Sequence, residues 1–301
     1  MKFSVITMTF NREATLRRCL ESLARQTIGS HCFELILVDV SDAPVIGVVQ
    51  DFKDTLNIRH LHTRNQGVAG NRNYGARHAR AGLLAYIDDD CIADPNWLDQ
   101  LLATAEANPA CLIGGSVRNL RPDNAISCAG QVITVAVDSC FNPDAGEPTF
   151  FPGLNFAVPR DQYLAIGGCD EGFGRLAAED RDFVDRWRSA GGCLIKSPNA
   201  IVTHSHRSDL IGFVRQYLNY GRGSWRYHAL RRTQGNGGLR ESMKLHTGLL
   251  RYVRSSMLDL PARMRLKVGL LLILWELCNA TGFIWQACIE STSPLFKRTR
   301  S

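Results

Sequence analysis

Residues 83–90 read LLAYIDDD, five apolar or aromatic side chains that run straight into three aspartates. The run has the length and unbroken apolar character of a parallel strand buried on both faces. In open α/β sheets, ligands sit just beyond the carboxyl ends of such strands. Three consecutive carboxylates repel one another. Two of them one residue apart, Asp88 and Asp90, can hold a hard divalent cation, which prefers oxygen donors and often binds through carboxylates plus substrate phosphates. The plainer reading is a solvated acidic loop.

The flanking sequence supports a strand in a sheet. Upstream, Lys2–Met8 (KFSVITM) is another short apolar run. Asn11 then stands where a helix cap belongs, with Leu16, Cys19, Leu20 and Leu23 at helical spacing behind it. Phe33–Val38 is a second apolar run ending in Asp39, which completes a βαβ unit. Ile58–His62 reads as a short strand, Gly67–Ala81 as a helix, and Trp97–Ala107 as a helix after Asp94-Pro95. The two acidic clusters, Asp39/Asp42 and Asp88–Asp90, both fall at predicted strand ends. From about 111 to 160 the pattern predicts short strands and turns. Ala178–Ala190 predicts a helix with Phe183, Val184 and Trp187 inward and Gly191 as its stop. Cys193–Ile195 and Ile201–Thr203 predict two short strands leading to His204-Ser205-His206, and the chain beyond 210 reads as helical and basic.

Composition narrows the class. The 301 residues are 45% hydrophobic and 21% charged, which describes a folded globular chain. Ten cysteines form no CxxC pair, so the expectation is reduced core thiols in a cytosol rather than a zinc site or disulfide framework. The N-terminus leads directly into a strand without a signal-peptide pattern, which points to a cytoplasmic protein. The net charge of +6 is uneven: residues 1–204 hold 19 basic and 24 acidic side chains, residues 205–301 hold 16 and 5. A tail of +11 suits an anionic membrane surface, with nucleic acid the less favoured partner. Val268–Ile289 is long enough to span a bilayer but is interrupted by Glu276, Asn279 and Gln286, so attachment at the inner face of the cell membrane is expected over spanning.

Other residues carry chemistry with a plain alternative beside each. Glu179-Asp180 opens a helix, where acidic residues also serve simply to offset the dipole. His204 and His206, two apart on a strand, share a face and one could complete a metal shell; satisfied surface histidines are the alternative. The glycines at 67, 70 and 75 do not form GxGxxG. Arg72 in that segment could pair with a diphosphate, or be an exposed helical arginine.

In order along the chain, these pieces resemble family 2 glycosyltransferases of the GT-A fold, over roughly Ser4 to His206. SVITMTFNREATLRRCLESLARQT is similar to the family's opening strand and helix, and NQGVAGNRNYGARHARAGLLAYIDDDCIADPNWL to its central segment with the metal-binding DxD. GLNFAVPRDQYLAIGGCDEGFG and EDRDFVDRWRSAG are similar to its acceptor-side block and ED motif. The chain differs from the family pattern at Val40-Ser41-Asp42 and at Cys169.

The resemblance implies an α/β, Rossmann-like GT-A domain over 1–210 and a helical C-terminal extension over 211–301. It also implies an inverting, metal-dependent transfer of a sugar from a nucleotide-sugar donor to an acceptor hydroxyl. Thr9, Asn11 and Asp39 would line the nucleotide pocket, Arg72 would meet the diphosphate, and Asp88 the ribose or metal. Asp90 would be the main ligand to Mg²⁺ or Mn²⁺, with His204 or His206 approaching it. Asp170 and Glu171 would face the sugar or acceptor, a saccharide or lipid-linked molecule of the cell envelope. Asp180 would be the catalytic base, with Glu179 its rival. An inactive membrane-associated scaffold and a nucleotidyltransferase are the alternatives; the intact acidic motifs speak against the first, and MTFNRE lacks the Gly-rich signature of the second.

Overall fold

The computed structural model describes residues 1–143, 147–233 and 240–292. Three of the tail's basic residues, Lys297, Arg298 and Arg300, therefore lie outside the described residues. The chain forms two compact units: residues 1–120, 141–174 and 180–205, and residues 121–140, 175–179 and 206–301.

The first unit is built on one eight-stranded sheet. Its strands are β1 (Phe3–Thr9), β2 (Phe33–Asp39), β3 (Ile58–His62), β4 (Leu83–Ile87), β5 (Cys91–Ala93), β6 (Leu112–Asn119), β7 (Asn155–Pro159) and β8 (Leu194–His204), in the spatial order β3-β2-β1-β4-β7-β6-β8-β5. β1, β2, β3 and β4 are mutually parallel, and β7 runs antiparallel to both β4 and β6. Because β8 is parallel to β6, it points the same way as β4. The carboxyl ends of β1, β2, β4 and β8 therefore share one sheet edge. β2 is buried at every position, as expected for a strand covered on both faces.

Helices α1 (Glu13–Ala24), α2 (Ile46–Asp51), α3 (Gly67–His78), α4 (Trp97–Ala107), α5 (Ala125–Phe141), α6 (Arg160–Ala165), α7 (Glu179–Ser189), α8 (Leu210–Thr233), α9 (Arg240–Thr247), α10 (Leu249–Leu258) and α11 (Ala262–Thr292) follow in chain order. α1 buries Leu16, Cys19, Leu20, Ser22 and Leu23. Its N-cap is Arg12 rather than Asn11, which takes a left-handed φ of 54° instead. Asn155 joins several elements: its Oδ1 accepts from Trp97 Nε1 at 2.8 Å and its Nδ2 donates to the carbonyls of Ser116 and Ala200 at 2.9 and 3.0 Å. Asn155→Ala is expected to orphan all three groups in a buried setting, costing about 3 kcal/mol or more and lowering the urea midpoint accordingly.

Three expectations are corrected here. Residues 125–141 are one helix, not short strands and turns; the β-branched run VITVAV hid it, yet Ala129, Val132, Ile133 and Ala136 fall on one buried face. The two short strands at 193–195 and 201–203 are one continuous strand, β8. The cysteines are not all reduced, since Cys111 and Cys193 form a disulfide across 82 residues. They meet because each immediately precedes a strand of the β6–β8 pair, where Leu112 lies opposite Leu194. Cys19, Cys91, Cys128, Cys169 and Cys278 are buried free thiols, the core role expected of them.

In the second unit, α8 and α11 pack along each other so closely that glycines are required. A Cβ on Gly221 would stand 2.1 Å from the Asn279 carbonyl oxygen, and one on Gly282 2.1 Å from that of Leu218.

Candidate active site

The site begins at the shared carboxyl edge of the sheet. The β1–β2 register sets Thr9 opposite Asp39. Asp39 is fully buried: its Oδ1 accepts from the Ser41 N–H at 3.0 Å, and its Oδ2 from the Val45 N–H at 2.9 Å with His60 Nε2 2.8 Å away. Burial works against its charge, but these donors prevail and hold the carboxyl below the usual aspartate range. Asp39 thus shapes the 41–45 loop from beneath. The residues that depart from the family pattern clasp Asn11: the Asn11 N–H donates to Ser41 Oγ at 2.9 Å, its Nδ2 to Asp42 Oδ2 at 2.7 Å, and its Oδ1 accepts from the Asp42 N–H at 3.0 Å. Thr9 spends its hydroxyl on Asp89 Oδ2 at 2.8 Å.

Beyond β4 the three aspartates turn to different partners, which is how the chain tolerates them side by side. Asp89 is buried, and desolvation together with Asp90 pushes its carboxyl up to about 7, against the pull of Arg12 and the Thr9 hydroxyl. Asp88 lies 3.8 Å from Arg72 Nη2; partial enclosure raises its pKa while Arg72 opposes the shift. Asp90 Oδ2 accepts from Arg12 Nη1 at 3.0 Å, and Arg12 also reaches Asp89 at 3.2 Å. Arg12 went unnoticed in the sequence, because a basic residue at a helix N-cap carries no signal until the fold brings residue 90 to it.

The other Asp90 oxygen, Oδ1, is 3.3 Å from His204 Nε2 at the end of β8. Asp90, Cys91 and His204 offer ligand atoms that all lie within 4.8 Å of one another. The Cys91 thiol is buried and its pKa is pushed far up, so it stays protonated and is no ligand for a hard cation. What remains is a carboxylate oxygen and an imidazole nitrogen, a donor pair that fits a divalent cation. His206 is directed elsewhere, with its Nε2 2.9 Å from Gln131 Oε1.

Arg72 is buried on α3, not exposed. Its guanidinium lies over Gly153, where a Cβ would stand 2.2 Å from Nη2, and the Gly153 N–H donates to Asp180 Oδ2 at 2.9 Å. Gly153, unremarked in the sequence, thus places the first turn of α7 beside Arg72. Glu179, its neighbour, is buried. Ala178 just before them holds a φ of 74°, a strained backbone for a residue with a Cβ. Gly153→Ala must displace the Arg72 tip. The protein should still fold; if Arg72 meets the diphosphate of a donor, as the resemblance implies, the KM for that donor should rise about tenfold or more, measured by steady-state kinetics.

Residues 4–127 match the family model described as Glycosyl transferase family 2. The validoxylamine A glucosyltransferase of Streptomyces hygroscopicus subsp. limoneus is 31% identical over 218 residues, covering 62% of this chain and 48% of the relative. The glucosyl-dolichyl phosphate glucuronosyltransferase of Haloferax volcanii is 30% identical over 189 residues, covering 60% and 50%. The chain spans about half the length of these curated relatives. Among solved structures, the mannosyltransferase PcManGT from Pyrobaculum calidifontis, in complex with GDP-Man and Mn²⁺, superposes with a TM-score of 0.65 at 18% identity, covering 96% of this chain and 86% of that one. Over residues 4–127 the chain resembles glycosyl transferase family 2. Its fold is GT-A, with a helical C-terminal region.

In this glycosyltransferase fold, Asn73 on α3 secures the segment that carries Asp170 and Glu171. Its Nδ2 donates to the Cys169 carbonyl at 2.8 Å and to Glu171 Oε1 at 3.0 Å, and its Oδ1 accepts from the Cys169 N–H at 2.9 Å and the Tyr163 hydroxyl at 2.8 Å. Asp170 caps the short turn after it, accepting from the Gly172 N–H at 2.8 Å. Gly67, with φ 80°, lets α3 begin against this turn: a Cβ there would stand 1.8 Å from the Gly174 carbonyl oxygen.

Proposed function

We propose that the chain transfers a sugar from a nucleotide-diphosphate donor to an acceptor hydroxyl with inversion at the anomeric carbon. The observation that carries this reading is the convergence at one sheet edge: Asp90 against His204, and Arg72 joined through Gly153 to Asp180. The donor would lie across the carboxyl ends of β1, β2 and β4, its nucleoside framed by Thr9, Asn11 and the loop that Asp39 holds. Arg72 and Asp88 would face the diphosphate and ribose. Asp88, Asp90 and His204 would hold Mg²⁺ or Mn²⁺; His206, turned to Gln131, is the weaker candidate. Such a cation supplies Lewis-acid neutralisation of the charge that develops on a leaving diphosphate.

Asp180 would take the proton of the acceptor hydroxyl as it attacks in line, and a single displacement inverts the centre without a covalent intermediate. Asp170 and Glu171 would face the sugar and acceptor. A saccharide or lipid-linked acceptor of the cell envelope and a cytoplasmic setting complete the proposal, and relatives named as hexosyl and uronosyl transferases support the class of donor. The test is to incubate the protein with a panel of nucleotide sugars and Mn²⁺, with saccharide and lipid-linked acceptors, and measure released nucleoside diphosphate. Release with one donor supports the reading; none across the panel overturns it.

A further inference from the structure

α11 presents two different faces. One packs along α8, and the three larger polar side chains that interrupt its apolar run are spent on partners, leaving Thr281 as a small polar residue on the exposed side. Gln286 accepts from Arg222 Nε at 3.0 Å, Glu276 meets His246 Nδ1 at 2.7 Å, and Asn279 bonds the carbonyl of Trp275 on its own helix. The opposite face is exposed and apolar. Leu270, Ile273, Leu277, Ile284, Trp285 and Ile289 are each between 43% and 61% exposed, a degree of exposure that a folded chain alone does not explain for six large apolar side chains in one row. No charged residue interrupts this row. The charges come at its start, where Arg263, Arg265 and Lys267 are all exposed.

We propose that this face docks on an anionic lipid bilayer, with α11 lying in the membrane plane. The length of the apolar row, about 30 Å for some twenty helical residues, would also allow spanning, but α8 forbids it. The two helices meet backbone to backbone, so a spanning α11 would carry Arg215 and Arg222 of α8 into hydrocarbon. A second copy of the chain is a poorer occupant for two reasons. The exposed row covers about half the helix circumference, wider than a two-helix seam and without flanking charges to set its register. The partner would also bring the same charge of +11 over residues 205–301. An anionic headgroup layer complements that charge and accommodates a broad apolar face at its acyl boundary. Trp285, with the Arg222 guanidinium 4.9 Å above its ring, is placed as interfacial tryptophans are. Docking by this face requires nothing of the transfer chemistry.

The test is flotation of the full chain with phosphatidylcholine vesicles, with and without phosphatidylglycerol, at low salt. The chain should float with the anionic vesicles, with a blue shift in emission that Trp285→Phe removes. Leu270→Glu/Ile273→Glu/Leu277→Glu should lower the partition coefficient at least about tenfold, and Arg263→Glu/Lys267→Glu should abolish the preference for anionic lipid. Circular dichroism checks that each variant folds; if the triple variant does not, the charge-reversal pair and the Trp285 emission decide alone. A full chain that stays in solution, or floats equally well without phosphatidylglycerol, overturns the proposal. So does a dimer, seen by light scattering, that the triple variant dissociates while no vesicle binding is found.

Discussion

Asp180→Asn is expected to lower kcat at least about a hundredfold, the range in which loss of a general base falls, while nucleotide affinity stays nearly unchanged. The substitution removes the charge and keeps the shape. An asparagine oxygen can still accept from the Gly153 N–H that now reaches Asp180 Oδ2 at 2.9 Å, so the start of α7 and Arg72 beside it should hold their places. What is lost is the capacity to take a proton, and that capacity matters only in the chemical step. Glu179→Gln is the control. Glu179 is buried at the opening of the same helix. Steady-state kinetics with isothermal titration of the nucleoside diphosphate separates the cases. If Asp180→Asn keeps a near-normal kcat and Glu179→Gln does not, the base is Glu179. If both remain active, the pair serves only the helix terminus.

The second large effect is expected at Asp90. Asp90→Ala should abolish turnover, by at least about a thousandfold if Lewis-acid stabilisation is worth several kcal/mol. Chelation of the wild-type protein should do the same, reversibly on adding Mn²⁺. The variant should remain folded, because Arg12 keeps its second partner, Asp89, at 3.2 Å. His204→Ala should weaken Mn²⁺ binding with a smaller loss of rate, since Asp90 remains as an oxygen ligand. Full activity in chelator would remove the metal from the mechanism altogether.

Much of the GT-A sheet was legible because its signals are local. The strand Leu83–Ile87 and the helix Trp97–Ala107 have the bounds their apolar patterns predict, and Asp39 and Asp88 stand at strand ends as the runs before them require. The helix at 125–141 was not legible in the same way. Its β-branched residues favour a strand locally, and burial of Ala129, Val132, Ile133 and Ala136 on one face outweighs that preference. The clasp of Asn11 by Ser41 and Asp42 shows a related limit. A departure from a family's pattern at 40–42 reads as a loss, whereas in the fold those residues bind the end of β1 to the end of β2.

By itself, then, the sequence determined β1 to β4 and helices α1, α3 and α4 of the α/β unit, and that carboxylates stand at the carboxyl ends of β2 and β4. Period and burial preference act over a few residues, so they can be read along the chain. The partnerships were decided only by the tertiary structure. Arg12 meets Asp90 across 78 positions, Gly153 meets Asp180 across 27, and Cys111 meets Cys193 across 82. The direction of β8, set by its pairing with β6, brings His204 to Asp90. Such pairings depend on strand order and register, which are properties of the whole sheet and leave no mark on the residues near either partner.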